Sequence, residues 1–260
     1  MKLALYSAVY GTYEATAKPL PPDLGIPAIM LTDNEQIAES AAAGGWTIVF
    51  DLTPYDRFTA DPANGDPAVV TPMLAHKYWK THPVEATWHW ARLQGDITQI
   101  VDASIWVDGN MRITMAGPEW VARNVAALGD DEWSLMAHPW RSCVYTEHAY
   151  TAAVCAGRYS VEALQRQIDA VRASSHPEGW GLFATGHMVR RHTNMVNDLG
   201  ELWWRANVMY SHQDQLSLPP LLRVQALLSE SFARHESIVP GLGWNANLPW
   251  AMWSLDPHGT

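Results

Sequence analysis

Five short stretches of this chain carry polar side chains whose types and spacing can do chemistry. In Ser104-Ile105-Trp106-Val107-Asp108-Gly109-Asn110 an apolar run delivers an acid into a glycine turn. A carboxylate placed at the rim of a sheet can hold Mg2+ or Mn2+, and that ion can neutralise a diphosphate leaving group. The same acid can equally do no more than cap the next turn. In Tyr210-Ser211-His212-Gln213-Asp214-Gln215-Leu216-Ser217, after Trp203-Trp204, a carboxylate sits between two amides beside aromatics. It can orient a sugar or help activate an acceptor hydroxyl, or it can serve as the N-cap of the next helix.

Two further stretches concentrate cations. Arg141, in His138-Pro139-Trp140-Arg141-Ser142-Cys143-Val144-Tyr145-Thr146-Glu147-His148, can fork onto a phosphate or carboxylate, or pair with Glu147 at the surface. Arg190-Arg191-His192 can face phosphates or form a solvated basic turn. In the fifth stretch, Ala75-His76-Lys77-Tyr78-Trp79-Lys80, Lys77 can reach a phosphate as a point charge or simply face solvent from a helix. Among eleven histidines no pair has the His-Glu-x-x-His spacing of a helical zinc site. The nucleophile elbow, the Walker loop and the dinucleotide fingerprint are all missing, which weighs against hydrolase, ATPase and dehydrogenase chemistry.

These groups need elements to hold them. Leu3 to Tyr10 alternates like a strand ending at Gly11. After a proline-rich loop, Ala28 to Asn34 reads as a second strand, Gln36 to Ala43 as a helix stopped by Gly44-Gly45, and Trp46 to Phe50 as a third strand. That order suits an α/β sheet whose strand ends open into one crevice. Tyr55 to Pro72 reads as loop, Met73 to Thr81 as a helix ended by His82-Pro83, and Ile97 to Val107 as a buried strand. Helices are predicted over Pro118 to Leu128, Val161 to Ser174, Leu199 to Ser211 and Pro219 to Ser231, with a strand over Ser134 to His138. The tryptophan-rich tail, about residues 240–260, has no clear period and is expected to pack back on a single domain spanning 1–260.

Composition narrows the field. The 260 residues hold 17 Lys and Arg against 27 Asp and Glu, for a formal charge of −10. That balance argues against nucleic acid as a partner, because neutralising phosphates needs a basic face. No apolar run approaches the ~20 residues of a membrane helix, and the short apolar N-terminus alternates like a strand rather than a signal peptide. The cytoplasm of a bacterium, or of a host if the source is a phage, is the expected compartment. Cys143 and Cys155 form no disulfide framework or zinc pattern and read as small core residues. Of the 14 tryptophans most are expected in the core, the rest as flat floors for sugar rings or bases.

Taken in order, the segments resemble one family. It is the glycosyltransferase-like family, formerly a domain of unknown function, that includes plant proteins of seed-mucilage synthesis and turgor control and many bacterial members. The likeness runs through Tyr6 to Tyr13, Leu31-Thr32-Asp33, Ala75-His76-Lys77 before His82-Pro83, and Ser104 to Asn110. It continues through His138 to Glu147, Gly181-Leu182, Arg190-Arg191-His192 and Trp203-Trp204, and ends with Ser211 to Leu216. It spans about residues 3 to 220 and is carried by the set, since no single motif decides it.

The resemblance implies a GT-A fold, an α/β chain with a mostly parallel Rossmann-like sheet flanked by helices, and transfer of a sugar from a nucleotide diphosphate sugar, a uridine one by preference. The acceptor would be a hydroxyl of a glycan, a protein or a small molecule. It implies that Asp108 contacts a divalent metal (Mn2+ or Mg2+) or the donor sugar, that Asp33 lies near the base or ribose, and that the Tyr10-Gly11 turn lines the nucleotide. Lys77, Arg141 and Arg190 become phosphate or sugar contacts. Asp214-Gln215 is similar to the Asp-Gln element of glycogenin-like retaining transferases, which implies retention. Where a full Asp-x-Asp would place a second acid, this chain has Asn110, which can coordinate through its amide oxygen but adds no charge. His138 or His192 would then complete the metal shell. Two other readings stay open: a carbohydrate- or nucleotide-binding module without catalysis, and a glycoside hydrolase drawing two carboxylates from Asp108, Glu147 and Asp214.

Overall fold

The computed structural model describes residues 1–57, 70–96, 98, 100–155, 157–228, 244–245 and 253–255. Its strands are β1 (Leu3–Val9), β2 (Ala28–Thr32), β3 (Thr47–Phe50), β4 (Ala103–Val107), β5 (Met111–Ile113), β6 (Trp133–Ala137), β7 (Phe183–Arg191), β8 (Trp244–Asn245) and β9 (Trp253–Leu255). One sheet has the order β3-β2-β1-β4-β7-β6-β8, and β5 pairs with β9 beside it. Only β7 runs against its neighbours; the other pairs in the main sheet are parallel. This is the mostly parallel, Rossmann-like α/β sheet implied for a GT-A chain.

The helices are α1 (Glu35–Ala43), α2 (Thr53–Arg57), α3 (Pro72–Thr81), α4 (Pro83–Leu93), α5 (Gly117–Leu128), α6 (Val144–Val154), α7 (Val161–Ala173), α8 (Asn194–Met209) and α9 (Asp214–Leu228). Because successive strand residues point to opposite faces, β1 feeds two cores. Ala4, Tyr6 and Ala8 pack with residues of α3, α4, α8 and α9, while Leu3, Leu5 and Val9 pack with residues of α1 and α5. Both β1 and β4 are buried along their whole length, as parallel strands covered on two faces must be. Among the described residues eight tryptophans are buried in these layers, so most of the 14 are core; Trp140 and Trp88 are exposed.

Several elements differ from what the pattern predicts. The helix expected to end at His82-Pro83 does end there, but Pro83 also begins α4, which the pattern does not signal, at its first position, where a missing N–H costs nothing. Residues 183–191, whose basic end reads as a turn, form β7 in the middle of the sheet. Val144–Val154 is a helix that the pattern does not signal. Helix α9 starts at Asp214 and carries Pro219 and Pro220 inside it; the fully buried Leu216, Leu218 and Leu222 supply packing that offsets the lost bonds. The loop expected over 55–72 overlaps α2, and its residues 58–69 lie outside the described residues, as does most of the tail. The two described pieces of the tail are β8, at the sheet edge, and β9.

No helix among the described residues is long and apolar enough to cross a membrane.

The chain runs outward through β1, β2 and β3, then returns to place β4 on the other side of β1. That reversal opens a crevice at the carboxyl ends of β1 and β4, the position at which open α/β sheets hold ligands.

Candidate functional site

A cavity of about 450 Å3, counting its open mouth, occupies this crevice. The end of β1 supplies Ala8, Val9 and Tyr10, and the turn after β4 supplies Asp108, Gly109 and Asn110. Helix α3 contributes His76 and Lys77, and Tyr13, Glu14 and Arg158 complete the mouth.

Helix α3 is well specified. Thr71 Oγ1 accepts from Leu74 N at 3.2 Å, and Pro72 occupies the first turn. Its other end is clamped: a Cβ added at Gly200 of α8 would lie 2.1 Å from the Thr81 carbonyl oxygen, so only glycine permits the contact. Arg190 of β7 donates to the Lys80 carbonyl at 2.7 Å. Lys77 and Lys80, three residues apart, share one face of α3.

That face gathers two acids from distant parts of the chain. Lys77 Nζ lies 2.6 Å from Asp214 Oδ2, and Lys80 Nζ lies 2.8 Å from the same oxygen. Lys80 also reaches Asp108 Oδ1 at 3.0 Å, an oxygen that accepts from Trp106 Nε1 at 2.8 Å as well. Burial alone would raise the Asp214 carboxyl, but the two ammoniums outweigh it and hold it far below the usual range. Asp108 is lowered in the same way, its burial offset by Lys80, His76 and Lys77. Burial drags Lys77 down to about 8 despite its partner, whereas for Lys80 the two carboxylates overcome burial and the group is raised.

His76 completes the floor. Its Nδ1 lies 2.7 Å from the Ala8 carbonyl, which can only accept, so Nδ1 carries the proton. Nε2 therefore presents a lone pair 3.8 Å from Asp108 Oδ1. Burial pushes His76 down to about 4, so it is neutral near pH 7.

The structure places the sequence-nominated residues unevenly. Asp108, Asn110, Tyr10 and Lys77 line the cavity. Asp214 joins the cluster from behind: its side chain is 5% exposed and covered by the lysines. Among the described residues it caps no helix N–H, and it does not line the cavity. Gln215, half-buried in the first turn of α9, makes no side-chain hydrogen bond among the described residues. Asp33 works as a tie. Its Oδ1 accepts from Gly11 N and its Oδ2 from Tyr55 OH, both at 2.7 Å. Gly11 itself has φ +64°, the left-handed region that favours glycine.

Three expectations are corrected. Arg190 meets neither phosphate nor solvent: it is 0% exposed, bonded to Tyr6 OH and the Lys80 carbonyl, with its guanidinium 5.2 Å from the Trp133 ring. Its strand turns it inward, toward α3. His192 contacts Ser104 Oγ at 3.0 Å, at the opposite end of β4 from Asp108. Ser104 lies four positions before Asp108, about 13 Å along the strand, which puts His192 too far from Asp108 to share a metal. Arg141 is engaged by Glu147 and His138 and stacked on Tyr150, 4.0 Å from its ring centre. The same contacts remove His138 from the metal shell.

Glu147 is buried and links Arg141 to the site. Its Oε1 accepts from Gln213 Nε2 at 3.1 Å, and Tyr159 OH donates to Gln213 Oε1 at 3.3 Å. Gln167 Nε2 holds the Gln213 carbonyl, and Trp203 Nε1 the Asp214 carbonyl. The stretch around Arg141 thus helps fix the backbone that carries Asp214.

Lys80, His76, Tyr13, Glu14 and Arg158 were not nominated from the sequence. Helical spacing from Lys77 reaches Lys80, and His76 is its neighbour; nothing local marks the other three.

A metal has partial support. Asp108 Oδ2 accepts no hydrogen bond among the described residues, Asn110 lies beside it in the cavity wall, and His76 offers a lone pair. No group of three His, Cys, Asp or Glu suited to a metal occurs among the described residues. That donor set suits a hard ion that keeps waters and takes substrate phosphates as ligands, rather than a protein-only cage.

Among solved structures, the chain is similar to mouse xyloside xylosyltransferase 1 in its apo form. The two are 10% identical, with a TM-score of 0.44 over 87% of this chain and 82% of that one. It is also similar to the apo WbbM bifunctional glycosyltransferase, at 11% identity and TM-score 0.47, over 85% of this chain but only 37% of that one. Core-mannan synthase A of Aspergillus fumigatus, in its Mn/GDP form, is 10% identical with TM-score 0.43, over 95% and 71% of the two chains. Likeness at this level says nothing of what this chain binds. No curated protein matches the chain. A profile of the TOD1/MUCI70 glycosyltransferase-like domain matches residues 96–231, from the start of the β4 region to the end of α9. It takes in Asp108, Glu147 and Asp214 and just over half of the sequence, and the chain belongs to the TOD1/MUCI70 glycosyltransferase-like family.

Proposed function

We propose that the chain is a glycosyltransferase that moves a sugar from a nucleoside diphosphate sugar, a uridine one by preference, to a hydroxyl acceptor. The observation that carries this reading is the convergence of Asp108 and Asp214 on the two lysines of α3, at the switch-point cavity of a glycosyltransferase-like chain. Cleaving the donor places growing negative charge on the departing diphosphate, and fixed cations at the site of that charge lower the barrier. Lys77 lines the cavity as such a cation, and Asp108 at its rim is the side chain placed to meet the donor sugar or its metal.

When bound, a divalent ion would be held by Asp108, Asn110 and His76 and would act as a Lewis acid on the diphosphate oxygens. Asp214 holds both lysines and so sets where their charge falls. Retention of configuration is assigned on the Asp214-Gln215 pair alone, and the anomeric form of the product tests it.

The depressed carboxyls weigh against two-carboxylate hydrolysis. A glycoside hydrolase needs one acid whose pKa is raised, whereas Asp108 and Asp214 are both lowered, and Glu147, the third candidate, is buried and held by Arg141 and Gln213. The deciding experiment follows diphosphate release from a panel of nucleotide sugars, with and without Mn2+, by wild type and Asp108→Ala. Release from one donor, lost in the variant, supports transfer; cleavage of an aryl glycoside without nucleotide would support the hydrolase. A protein that binds a nucleotide sugar but never releases its diphosphate would be a binding module.

A further inference from the structure

The cations nearest the cavity floor are already neutralised. Lys77 and Lys80 are matched by Asp214 and Asp108 at 2.6 to 3.0 Å. Glu14 adds another acid to the lining. A diphosphate entering here adds negative charge to a floor whose two lysines each already face a carboxylate.

Arg158 differs from both lysines. It follows α6, is exposed, and lines the same cavity, yet it makes no ion pair with a carboxylate among the described residues. Aromatic faces position it instead. Its guanidinium carbon lies 5.3 Å from the centre of the Tyr13 ring and 5.4 Å from that of Tyr159. Both rings are set by the fold: Tyr13 follows the Gly11 turn that Asp33 ties down, and Tyr159 is hydrogen-bonded to Gln213 and packed at 4.6 Å on His212. A guanidinium held by ring faces keeps its N–H edge available for a bidentate contact with an oxyanion.

We propose that Arg158, held between Tyr13 and Tyr159 at the mouth of the β1/β4 cavity, is the side chain that binds the diphosphate of the donor. The assignment rests on the nucleotide-sugar reading of the cavity and adds a residue to it. Arg158 adds to Lys77 a positive charge that has no carboxylate partner among the described residues. Its loop is joined to the segment carrying Asp214 by the hydrogen bond from Tyr159 OH to Gln213 Oε1.

The test is calorimetric titration of the full chain, with chelator and separately with Mn2+, using uridine diphosphate, guanosine diphosphate, uridine and inorganic pyrophosphate. Loss of a charge-assisted, bidentate contact is expected to weaken the diphosphates about 10- to 100-fold in Arg158→Gln, with uridine binding unchanged. Arg158→Lys should fall between the two, because an ammonium keeps the charge but not the fork. An unchanged melting temperature would show that both variants are folded. Equal diphosphate affinity in wild type and Arg158→Gln would overturn the assignment while leaving the donor reading intact. Failure of the wild type to bind any of the phosphate probes would overturn both.

Discussion

Asp108 and Asp214, brought from the ends of different elements, share a single ammonium: Lys80 Nζ lies 3.0 Å from one carboxylate and 2.8 Å from the other. Lys80 is 1% exposed and Asp214 5%, so their contact forms away from water, while Asp108, 29% exposed, opens to the cavity. Coulombic attraction is strong there, and so is the cost of leaving any member alone. The cluster therefore ties the switch-point strand β4 to the first turn of α9 through one helix face. Whatever binds above Asp108 sits on a floor whose charge is fixed by three elements at once.

Removing that ammonium should be costly. Lys80→Met leaves the half-buried Asp108 without a lysine and the buried Asp214 with Lys77 alone, and is expected to destabilise the protein by about 3–5 kcal/mol. Adding Asp108→Asn should recover part of the loss, since Asp108 is the carboxylate left without a lysine while Asp214 keeps Lys77 at 2.6 Å. Urea denaturation of the two single variants and the double variant measures this coupling. Additive effects would show that Lys80 and Asp108 do not act as a unit.

Conservative changes at the acids should separate their roles. Asp108→Asn keeps the shape of the cavity wall and is expected to lower donor turnover by on the order of 100-fold or more, as loss of a group acting on developing charge does. Asp214→Asn acts through the lysines. It should shift the pH dependence of turnover, because Lys77, held at about 8 with a carboxylate beside it, falls further without one. The alkaline limb of the kcat/KM profile should therefore move to lower pH, and further in Asp214→Asn than in Asp108→Asn, because Asp214 raises Lys77 more than Asp108 does. Superimposable profiles would reassign Asp214 to a purely structural role.

Much of this site was legible in the sequence. An apolar run ending in Asp108-Gly109-Asn110 announces a strand that delivers an acid to a sheet rim, and β4 does so. Asp214 beside Trp203 also belongs to the cluster. Other features depend on tertiary contacts that local pattern does not encode. Arg190 next to Arg191 and His192 looks like a basic turn, yet alternation along β7 turns Arg190 into the core and leaves Arg191 at its edge, bonded to the Gly129 and Asp131 carbonyls. Arg158 carries no local signal at all, because its partners come from the β1 loop and from its own neighbour Tyr159. Pro83 obscured α4, since proline ends one helix and starts the next with equal ease.

The clamp on α3 gives a prediction remote from the chemistry. Gly200→Ala would place a methyl carbon 2.1 Å from the Thr81 carbonyl, so α8 and the end of α3 must separate. The expected cost is about 1–3 kcal/mol or more, as for overpacking a tight helix contact. Donor turnover should fall with it, because Lys77 and Lys80 ride on the displaced helix. Thermal unfolding and a turnover assay at a temperature where the variant stays folded distinguish the two effects; unchanged stability would mean the helices part freely.

Acid should destabilise the protein well above the carboxylate range. Burial lowers His76, His176, His192 and His212 to about 4 and His187 to about 3. In the unfolded chain each titrates near ~6.5. Between these values the unfolded state binds more protons than the folded one, so stability rises with pH and is lost as pH falls from about 6.5 toward 4. Asp108 and Asp214 are lowered, so protonating them costs stability only below the ordinary carboxylate range and adds nothing in this window. His187 is the best single probe. It is 0% exposed, stacked on Trp120, with Nε2 2.7 Å from Asn124 Oδ1. For such a group the slope approaches ~1.4 kcal/mol per pH unit. Urea midpoints measured from pH 7.5 to 4.5 should fall steadily in wild type and less steeply in His187→Gln. A wild-type profile that stays flat to pH 5 would mean that these imidazoles are hydrated or paired in solution.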